Sequence, residues 1–334
     1  MKRLYRQIIL YAGTIIAMQL PKNWNETILA RGGHVLQSSE WANFQSSIGR
    51  QPFYGLGPDW YWLAFNRQSA GLRYLLAQYS PSIMRDARSA IESIKIRGGD
   101  LGADFVRVEP VGNITDSEII ELGGKKVGDV EPAHTLVLDL TKSEEELRAG
   151  LESGHRNRVN TGEKRGITIE QTTNLTVLPN FIKLLHDTAD RAKITNHPDW
   201  YYEKMAKSLV DQGVASFYVA SVEDNPASIS LVFDWGSTRY YAHTGNDQVL
   251  NRQYKAAVSN VWQMIIDAKA AGMKSFDFWG IAPPDEPNHP WAGLSSFKKG
   301  FGGTVIENIG TYDLPLNKAK YQLYTAYRKM RGRK

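Results

Sequence analysis

Apolar residues in the first third of the chain occur in short runs separated by glycine, proline and polar residues. The runs at 60–65 and 72–77 are rich in aromatic and aliphatic side chains and flank Gly71, so they predict two strands joined by a turn. Residues 82–97 follow a helical pattern, and 104–108 predict a further strand. The predicted order is strand, strand, helix, strand.

The same order recurs in the second half of the chain. Residues 217–222, 229–233 and 239–243 predict a meander of three strands. A helix is predicted over 253–271 and a strand over 275–279. This repeat predicts an α/β protein of the α+β type, with two tandem acetyltransferase-like domains and mixed sheets. No segment keeps apolar heptads over several turns, so we expect no coiled-coil arm.

The length of the chain and a helix-capping motif predict the domain boundaries. A chain of 334 residues exceeds the usual size of one hydrophobic core, which favours two domains, with one compact domain as the alternative. Ser143 and Glu146 form a capping box, which predicts the helix that opens the second domain. We therefore predict a first domain of residues 18–142 plus 311–334 and a second domain of residues 143–310.

Residues 1–17 are predicted to be a peripheral N-terminal extension. Three basic residues precede an apolar run, as in the first two parts of a signal peptide, but no small residues mark a cleavage site. The run is also too short to cross a bilayer as a helix. Met18 as the true first residue is an alternative, and it would place the extension outside the native protein.

Composition narrows the functional classes only slightly. The chain has 40 Lys and Arg against 35 Asp and Glu, for a net charge of +5, which favours polyanionic partners such as phosphates or RNA. An ordinary solvated surface is the alternative explanation of so small an excess. The absence of cysteine excludes a disulfide framework, a thiolate metal site and a cysteine nucleophile. Neither a nucleophile elbow nor zinc-ligand spacing is present.

Two cationic segments are candidates for phosphate binding. Arg252 and Lys255 lie at a predicted helix start, where free backbone amides attract anions. Acetyltransferases that bind acyl-CoA have a glycine at the position of Lys255, which argues against ordinary CoA binding and leaves room for another phosphate ligand. His155, Arg156 and Arg158 belong to a second cluster, suited by charge to an RNA backbone. A solvated basic surface is the alternative at both places.

Arg191 precedes a predicted helix break at 196–199. An arginine beside such a break can be directed into a cleft and can hold a phosphate or carboxylate with two hydrogen bonds. Tyr201 and Tyr202 follow the break and could line the same cleft. Core packing is the alternative for at least one of them.

The segment 276–303 is the richest in candidate chemistry. It passes from a predicted strand into a proline-rich loop and returns through a stretch rich in glycine, a composition that predicts a loop of defined shape. Trp279 and the glycines suit the wall of a substrate channel. Lys298 would place a positive charge in that channel.

Four segments match the order of motifs in a known family. They are Gln37-x-x-x-Trp41-Ala42-x-Phe44, Arg107-Val108-Glu109-Pro110, Thr135 to Asp139 followed by Arg156 to Gly166, and Asp277-Phe278-Trp279-Gly280 through Gly303. This set resembles the Fem-type (FemABX) family of aminoacyl-tRNA-dependent peptidyltransferases, which make the interpeptide bridges of peptidoglycan. The chain is more similar to the members without a coiled-coil arm.

The resemblance implies transfer of an amino acid from aminoacyl-tRNA to a stem-peptide amine of a peptidoglycan precursor, lipid II or UDP-MurNAc-pentapeptide. Lys298 and the Phe297 backbone would stabilise charge during transfer, and Glu109 matches an acidic position near the acceptor amine. Asn43 stands where members that bind the soluble precursor often have a lysine. The residues expected to bind the acceptor are Arg191, Tyr201, Tyr202, Tyr241, Trp41 and Asn43. The residues expected to bind tRNA or phosphate are Arg252, Lys255, Lys299, Arg156 and Arg158.

The implied reaction is aminolysis of an activated ester, which needs no covalent enzyme intermediate, no metal and no redox cofactor. The expected partners are aminoacyl-tRNA and the precursor, and we expect a cytoplasmic monomer with peripheral contact to the inner membrane face. One alternative is another N-acyltransferase on the same fold. A second is a non-catalytic protein that binds RNA or a cell-wall precursor. The transferred amino acid, and lysine or diaminopimelate as acceptor, are open.

Overall fold

A computed structural model of the protein describes residues 19–192 and 195–330, so the predicted extension 1–17 lies outside the described residues. The strands are β1 (Pro52–Leu56), β2 (Trp60–Ser69), β3 (Leu72–Ala77), β4 (Ser82–Ile83), β5 (Phe105–Val108), β6 (Val111–Gly112), β7 (Lys125–Lys126), β8 (His134–Asp139), β9 (Ile167–Thr172), β10 (Ala215–Val222), β11 (Asn225–Trp235), β12 (Thr238–Asn246), β13 (Ser275–Gly280), β14 (Thr304–Glu307) and β15 (Tyr312–Pro315). The helices are α1 (Trp24–Leu29), α2 (Ser39–Ser47), α3 (Ala87–Asp100), α4 (Asp116–Glu121), α5 (Glu144–Ala149), α6 (Ser153–Thr161), α7 (Leu178–Ala192), α8 (Asp199–Asp211), α9 (Gln248–Tyr254), α10 (Ala256–Ala270), α11 (Ala292–Lys299) and α12 (Lys318–Met330).

The strands form two mixed sheets. The first has the order β6-β4-β2-β3-β5-β15-β7, with β1 paired to β2. The second has the order β14-β8-β13-β12-β11-β10-β9. In the first sheet β2 and β3 are antiparallel, and β5 returns parallel to β3 after α3. In the second sheet β11 and β12 are antiparallel, and β13 returns parallel to β12 after α10. The predicted repeat of antiparallel strands, helix and parallel strand is therefore confirmed.

The helix predicted over 82–97 begins later and ends later than expected. Ser82 and Ile83 form the short strand β4, which pairs with β2. The helix starts after Asp86, whose carboxylate accepts a hydrogen bond from the backbone N–H of Ser89 and so caps the first turn. Ser82 and Ile83 continue the helical pattern in the sequence, but they pair with β2 in the sheet.

The helix predicted over 253–271 consists of two helices. The residue between α9 and α10 is Lys255, whose backbone is left-handed with φ of 60°. Such a conformation ends a helix, and the chain starts again in a new direction at Ala256. The helix predicted after Ser143 is also divided into two helices, α5 and α6, but residues 150–152 between them are not left-handed. The capping box of Ser143 and Glu146 is formed as expected.

Strand pairing places the division between the sheets ahead of the predicted boundary at 142 and 143. β8 is paired with β13 and β14, so it belongs to the second sheet, whereas the prediction assigned it to the first domain. The first sheet receives β15 at its end, through pairing with β5 and β7. The predicted first domain includes residues 311–334, and β15 (312–315) lies in that range.

The largest apolar core lies between the two sheets. Alternate residues of β2 point to opposite sides, as a strand requires. Tyr61, Leu63 and Phe65 pack against helices α1, α2, α7 and α8, while Trp60 and Trp62 pack against α3 in the core of the first domain. Because one core joins elements of both halves, the two sheets are held together by buried apolar surface. Within residues 19–192 and 195–330, no helix is long and apolar enough to cross a bilayer.

Candidate active site between the two sheets

The second sheet opens into a wedge between β12 and β13. These parallel strands are paired only from Thr238 with Ser275 to Tyr240 with Asp277. Beyond that point β12 continues along β11, and β13 continues to Gly280, where it pairs with β8. The separation leaves the ends of the two strands free to line a site.

Irregular backbone on both sides shapes this wedge. In β12 the register with β11 shifts, so that Ala242 is an extra residue without an opposite partner. In β13 Trp279 has a left-handed backbone with φ of 62°. Bulges and left-handed non-glycine residues cost free energy and are enriched near functional sites. These irregularities make the wedge a candidate active site.

Lys298 lies at the end of this wedge. It is the penultimate residue of α11, its side chain is only 5% exposed, and its Nζ donates a hydrogen bond of 2.6 Å to the carbonyl oxygen of Gly280. Burial disfavours the charged ammonium and lowers the pKa of Lys298 to about 7, although the nearby carboxylate of Asp277 acts in the opposite direction. A protonated ammonium has three N–H groups, so two remain for another acceptor.

Asp277 couples Lys298 to the strand end. Its Oδ1 accepts a hydrogen bond of 2.7 Å from the backbone N–H of Trp279, which holds the left-handed turn in place. Burial raises the pKa of Asp277 to about 6, and the same backbone bond and Lys298 oppose that rise. Asp277 and Lys298 thus face each other in a poorly solvated environment, where each protonation state depends on the other.

Trp279 connects this site to a pair of carboxyl groups. Its indole Nε1 donates to Oε2 of Glu131 at 3.2 Å, and Gln78 Nε2 donates to the other oxygen of Glu131 at 2.6 Å. Burial raises the pKa of Glu131 to about 7. Burial and the charge of Glu131 raise the pKa of Glu109 to about 8. Two such groups do not both ionise readily near neutral pH.

Glu109 itself is buried and its oxygens are already in use. Oε1 accepts from the backbone N–H groups of Val130 and Glu131 and from the hydroxyl of Thr311, and Oε2 accepts from the backbone N–H of Tyr79. These bonds fix the segment that leads from the first sheet into β8. Glu131, which is half-buried, is the more accessible of the two carboxyl groups.

A basic cavity of about 300 Å³ lies beside Phe297, the residue before Lys298. Four cations from three parts of the chain line it, and Asp247 is the only acidic residue among the described residues of its lining. The cations are Arg158 of α6, Arg191 of α7, Arg252 of α9 and Lys255 between α9 and α10. We call this set the basic pocket. It brings together Arg252, Lys255 and Arg158, which were predicted to bind tRNA or phosphate, and Arg191, which was predicted to bind the acceptor.

Lys255 takes the left-handed conformation in the basic pocket that a glycine would adopt without strain. The backbone N–H of Ala257, at the start of α10, is bound by the side chain of Asn251 at 2.9 Å. One of the free backbone N–H groups at the start of α10 is therefore already hydrogen-bonded within the protein. The backbone at Lys255 has the left-handed conformation that glycine favours, but the residue adds a positively charged side chain that glycine lacks.

The other predicted tRNA-binding residues lie elsewhere. Arg156 donates to the backbone carbonyls of Ala149 and Leu151, so it fixes the turn between α5 and α6. Lys299 lines a separate cleft of about 540 Å³ between that turn and the proline-rich loop. Neither side chain lines the basic pocket.

The residues predicted for acceptor binding are dispersed. Tyr201 and Tyr202, at the start of α8, are buried at the edge of the core between the sheets. Trp41 lies inside that core, and Tyr241 lies in the core on the other face of the second sheet. Asn43 is exposed and donates to Gln212 of α8 at 2.8 Å. Of this set, Tyr201 is acted on electrostatically by Glu131, and Tyr241 directly follows Tyr240, the last residue of β12 that pairs with β13.

Several polar residues near the wedge were not singled out from the sequence. Glu131 belongs to no recognisable sequence motif. Arg50 follows α2 and Arg67 lies within β2, and neither position is marked by a motif. His197 belongs to the predicted helix break, and its ring packs against that of Tyr201, with centroids 4.2 Å apart and planes inclined by 32°. Only His197 had a signal in the sequence, because Asn-His-Pro-Asp marks a helix entrance. No group of three or more His, Asp or Glu residues that could hold a metal ion occurs in the described part of the chain.

Fold and wedge together define the class as a tandem pair of acetyltransferase-like (GNAT) domains, in agreement with the prediction. The chain belongs to the FemAB family, whose model matches residues 121–226 and 223–329. The Fem-type resemblance is thereby confirmed. The family match includes the wedge, Lys298 and the whole basic pocket.

Individual relatives agree with this assignment. A crystal structure of FemX matches with a TM-score of 0.77 at 16% identity, over 92% of this chain and 98% of that one. The structure of L-PGS from Bacillus licheniformis matches with a TM-score of 0.57 at 13% identity, over 89% of this chain and 92% of the other, and shares the fold. Aminoacyltransferase FemA from Staphylococcus aureus is 32% identical over 94 residues, which are 28% of this chain and 22% of FemA.

Proposed function

We propose that this protein transfers an amino acid from aminoacyl-tRNA to the stem-peptide amine of a peptidoglycan precursor, UDP-MurNAc-pentapeptide or lipid II. The observation that carries the proposal is the buried Lys298 at the end of the wedge, which follows Phe297, a lining residue of the basic pocket, in the chain. Family membership and the name of the relative FemA, an aminoacyltransferase, point in the same direction. Aminoacyl-tRNA places this activity in the cytoplasm.

The basic pocket supports a nucleic-acid donor. A cavity of about 300 Å³ lined by Arg158, Arg191, Arg252 and Lys255 is large enough for a phosphate with its sugar and too small for a folded RNA. The terminal nucleotide of the tRNA would therefore enter it, and the ester at its ribose would lie beside Phe297. Arg191 already donates 2.8 and 3.0 Å bonds to Asn246 and Thr188, which hold its guanidinium at the pocket wall.

The reaction is an aminolysis. The neutral acceptor nitrogen attacks the ester carbonyl carbon, a C–N bond forms, and the C–O bond to the ribose oxygen breaks. The proton lost by the amine ends on the ribose hydroxyl. The oxyanion of the tetrahedral intermediate needs a positioned donor, and Lys298 has two N–H groups left for that purpose when it is protonated.

The carboxyl pair of Glu109 and Glu131 supports a role in proton transfer. A group that accepts a proton from an amine near neutral pH works best with a pKa near that pH, and both carboxyls have raised pKa values. We assign Glu109 to the positioning of the pair, because its oxygens are held by four donors. Glu131 is then the group that faces the acceptor amine.

A transfer assay tests the proposal directly. Purified protein is mixed with a set of aminoacyl-tRNAs and either UDP-MurNAc-pentapeptide or lipid II, and the products are weighed by mass spectrometry. We expect one precursor to gain the mass of one amino acid residue. Lack of any mass gain with every pair would refute the function.

Lys298→Met tests the role of the lysine without leaving a large cavity. Loss of one oxyanion donor typically costs about 3 kcal/mol, so the single-turnover rate should fall by roughly a hundredfold. The matched control is Lys207→Ala, which removes an exposed lysine paired with Asp211 on α8 and should leave the rate unchanged. An unchanged rate in Lys298→Met would remove the lysine from the mechanism.

A further inference from the structure

Two arginines meet at the edge of the core between the sheets without an acidic partner. Tyr61, Leu63 and Phe65 of β2 point into this core, and Arg67 is the next residue on the same face. Arg67 forms no ion pair within 4 Å among residues 19–192 and 195–330, and its buried Nε has no hydrogen-bond acceptor there. A buried donor without an acceptor is unfavourable unless a ligand supplies one.

Arg50 approaches the same place from the end of α2. Its guanidinium lies 5.4 Å from the ring centroid of Tyr201, and one of its N–H groups donates to Oε1 of Gln45 at 3.0 Å. Gln45 is fully buried, and its Nε2 makes no well-formed hydrogen bond among the described residues; burial raises the pKa of Tyr201, and the Gln45 side chain opposes that rise. Arg50, Arg67 and Gln45 thus bring several donors, and Gln45 Oε1, the acceptor among them, is already used by Arg50.

The charges in this cluster repel one another. Burial and, to a smaller extent, the charge of Arg50 lower the pKa of Arg67 to about 10. Burial also lowers the pKa of His197, and both arginines contribute to that decrease. Glu131 is the acidic residue that acts on Arg67, yet it is bound to Gln78 and Trp279 and makes no ion pair with the arginine. The cluster therefore has unbalanced positive charge.

We propose that Arg50, Arg67 and Gln45 form a subsite for a carboxylate of the acceptor peptide. A carboxylate offers two planar oxygens, which match the forked N–H groups of a guanidinium, and it would supply the missing acceptors. The adjoining rings of His197 and Tyr201 would form a wall for the neighbouring peptide atoms. This inference rests on the proposed function, because it takes the precursor peptide as the occupant.

The subsite lies on the same side as the carboxyl pair. Glu131 acts electrostatically on both Arg67 and Tyr201, so the cluster and the proposed proton acceptor share one region. An acceptor peptide whose amine faces Glu131 would reach the cluster with a carboxylate of the same peptide. Binding there would hold the amine in register with the ester beside Phe297, which is how positioning contributes to rate.

The test measures binding by calorimetry, separately from turnover. The probes are UDP-MurNAc-pentapeptide, forms of it with one carboxylate amidated at a time, the lysine and diaminopimelate forms, and UDP alone. We expect one amidation to weaken binding to the wild-type protein by about tenfold to a hundredfold. Arg67→Gln should weaken binding of the free acid similarly and should lose the discrimination between acid and amide.

The control is Arg88→Gln, which removes an exposed arginine of α3 that is paired only with Glu92. It should bind all probes like the wild type. Equal binding of acid and amides by the wild type, retained discrimination in Arg67→Gln, or an effect of Arg67→Gln on UDP alone would each overturn the carboxylate subsite. Carboxylate-dependent binding without any transfer activity would instead refute the proposed function and leave the subsite standing.

Discussion

At the scale of single residues, the site depends on groups whose charge is set by burial. Lys298 could be identified from the sequence because it lies in a conspicuous glycine-rich segment. Its hydrogen bond to Gly280 and its electrostatic interaction with Asp277 could not be predicted, because they depend on where β13 ends and how α11 packs against it. The same holds for Arg67, which is an ordinary strand residue until the core between the sheets is assembled around it.

The pH dependence of transfer reports on Lys298. Its pKa is lowered to about 7, so the ammonium loses its proton as the pH rises through 7, and oxyanion stabilisation by this group should fall there. In Asp277→Asn this decline should move to lower pH, because the carboxylate of Asp277 raises the pKa of Lys298. Single-turnover rates, measured over about two pH units on either side of 7, give both profiles.

Lys298→Arg is the control for that profile, because a guanidinium keeps its charge throughout this range. Whatever its absolute rate, it should lack the decline attributed to Lys298. The same decline in wild type and Lys298→Arg would show that another group causes it.

At the scale of elements, most helices and strands follow from local patterns, and the exceptions have local causes. The meander strands and the Ser143 cap were predictable from periodicity and capping residues. The break at Lys255 was not, because a lysine in a left-handed conformation contradicts ordinary backbone preference. The placement of 82–83 in a strand was also hidden, since pairing with β2 is a long-range interaction.

Lys255→Gly should separate stability from donor binding. Glycine adopts a positive φ without strain, so the free energy of unfolding should rise by about 0.5–1 kcal/mol. Loss of one cation from the basic pocket should weaken tRNA binding and make its salt dependence shallower by about one unit of slope.

Urea denaturation and binding at several salt concentrations measure the two effects of Lys255→Gly. Lys207→Gly is the opposing control, because it lies within the regular helix α8 and should lose about 1 kcal/mol of stability. Destabilisation by Lys255→Gly comparable to that control would contradict the assigned backbone strain.

At the scale of the whole molecule, the two halves are interlocked. The repeat in the sequence predicted both sheets, and β15, which follows the second sheet in the chain, pairs with β5 of the first sheet. The position of β8 was not predictable, because its apolar run suits either sheet and only its pairing with β13 and β14 decides. The dispersed acceptor-binding set has a similar cause: buried tyrosines and tryptophans look alike in a sequence whether they face a core or a cleft.

The interlock can be tested at Asp313 of β15. Its carboxylate binds Arg107 of β5 through two hydrogen bonds of 2.7 and 2.8 Å and also accepts from the hydroxyl of Tyr321. Asp313→Asn leaves a buried guanidinium without its counter-charge and should lower the free energy of unfolding by about 3–5 kcal/mol.

Chemical denaturation of Asp313→Asn provides the measurement. Asp211→Asn is the matched control, since Asp211 forms an exposed pair with Lys207 and should change stability by less than about 1 kcal/mol. Equal, small effects of both substitutions would show that β15 is not needed to hold the first sheet together.

The late position of β15 has a consequence for biosynthesis. The first sheet needs β15 between β5 and β7, yet the ribosome makes this strand only after the entire second sheet. The first half of a nascent chain therefore waits with the edge of β5 unpaired while β8 to β14 are translated. Such an edge is a natural binding site for a chaperone or for another nascent chain, so the order of synthesis exposes this protein to mispairing until translation is almost complete.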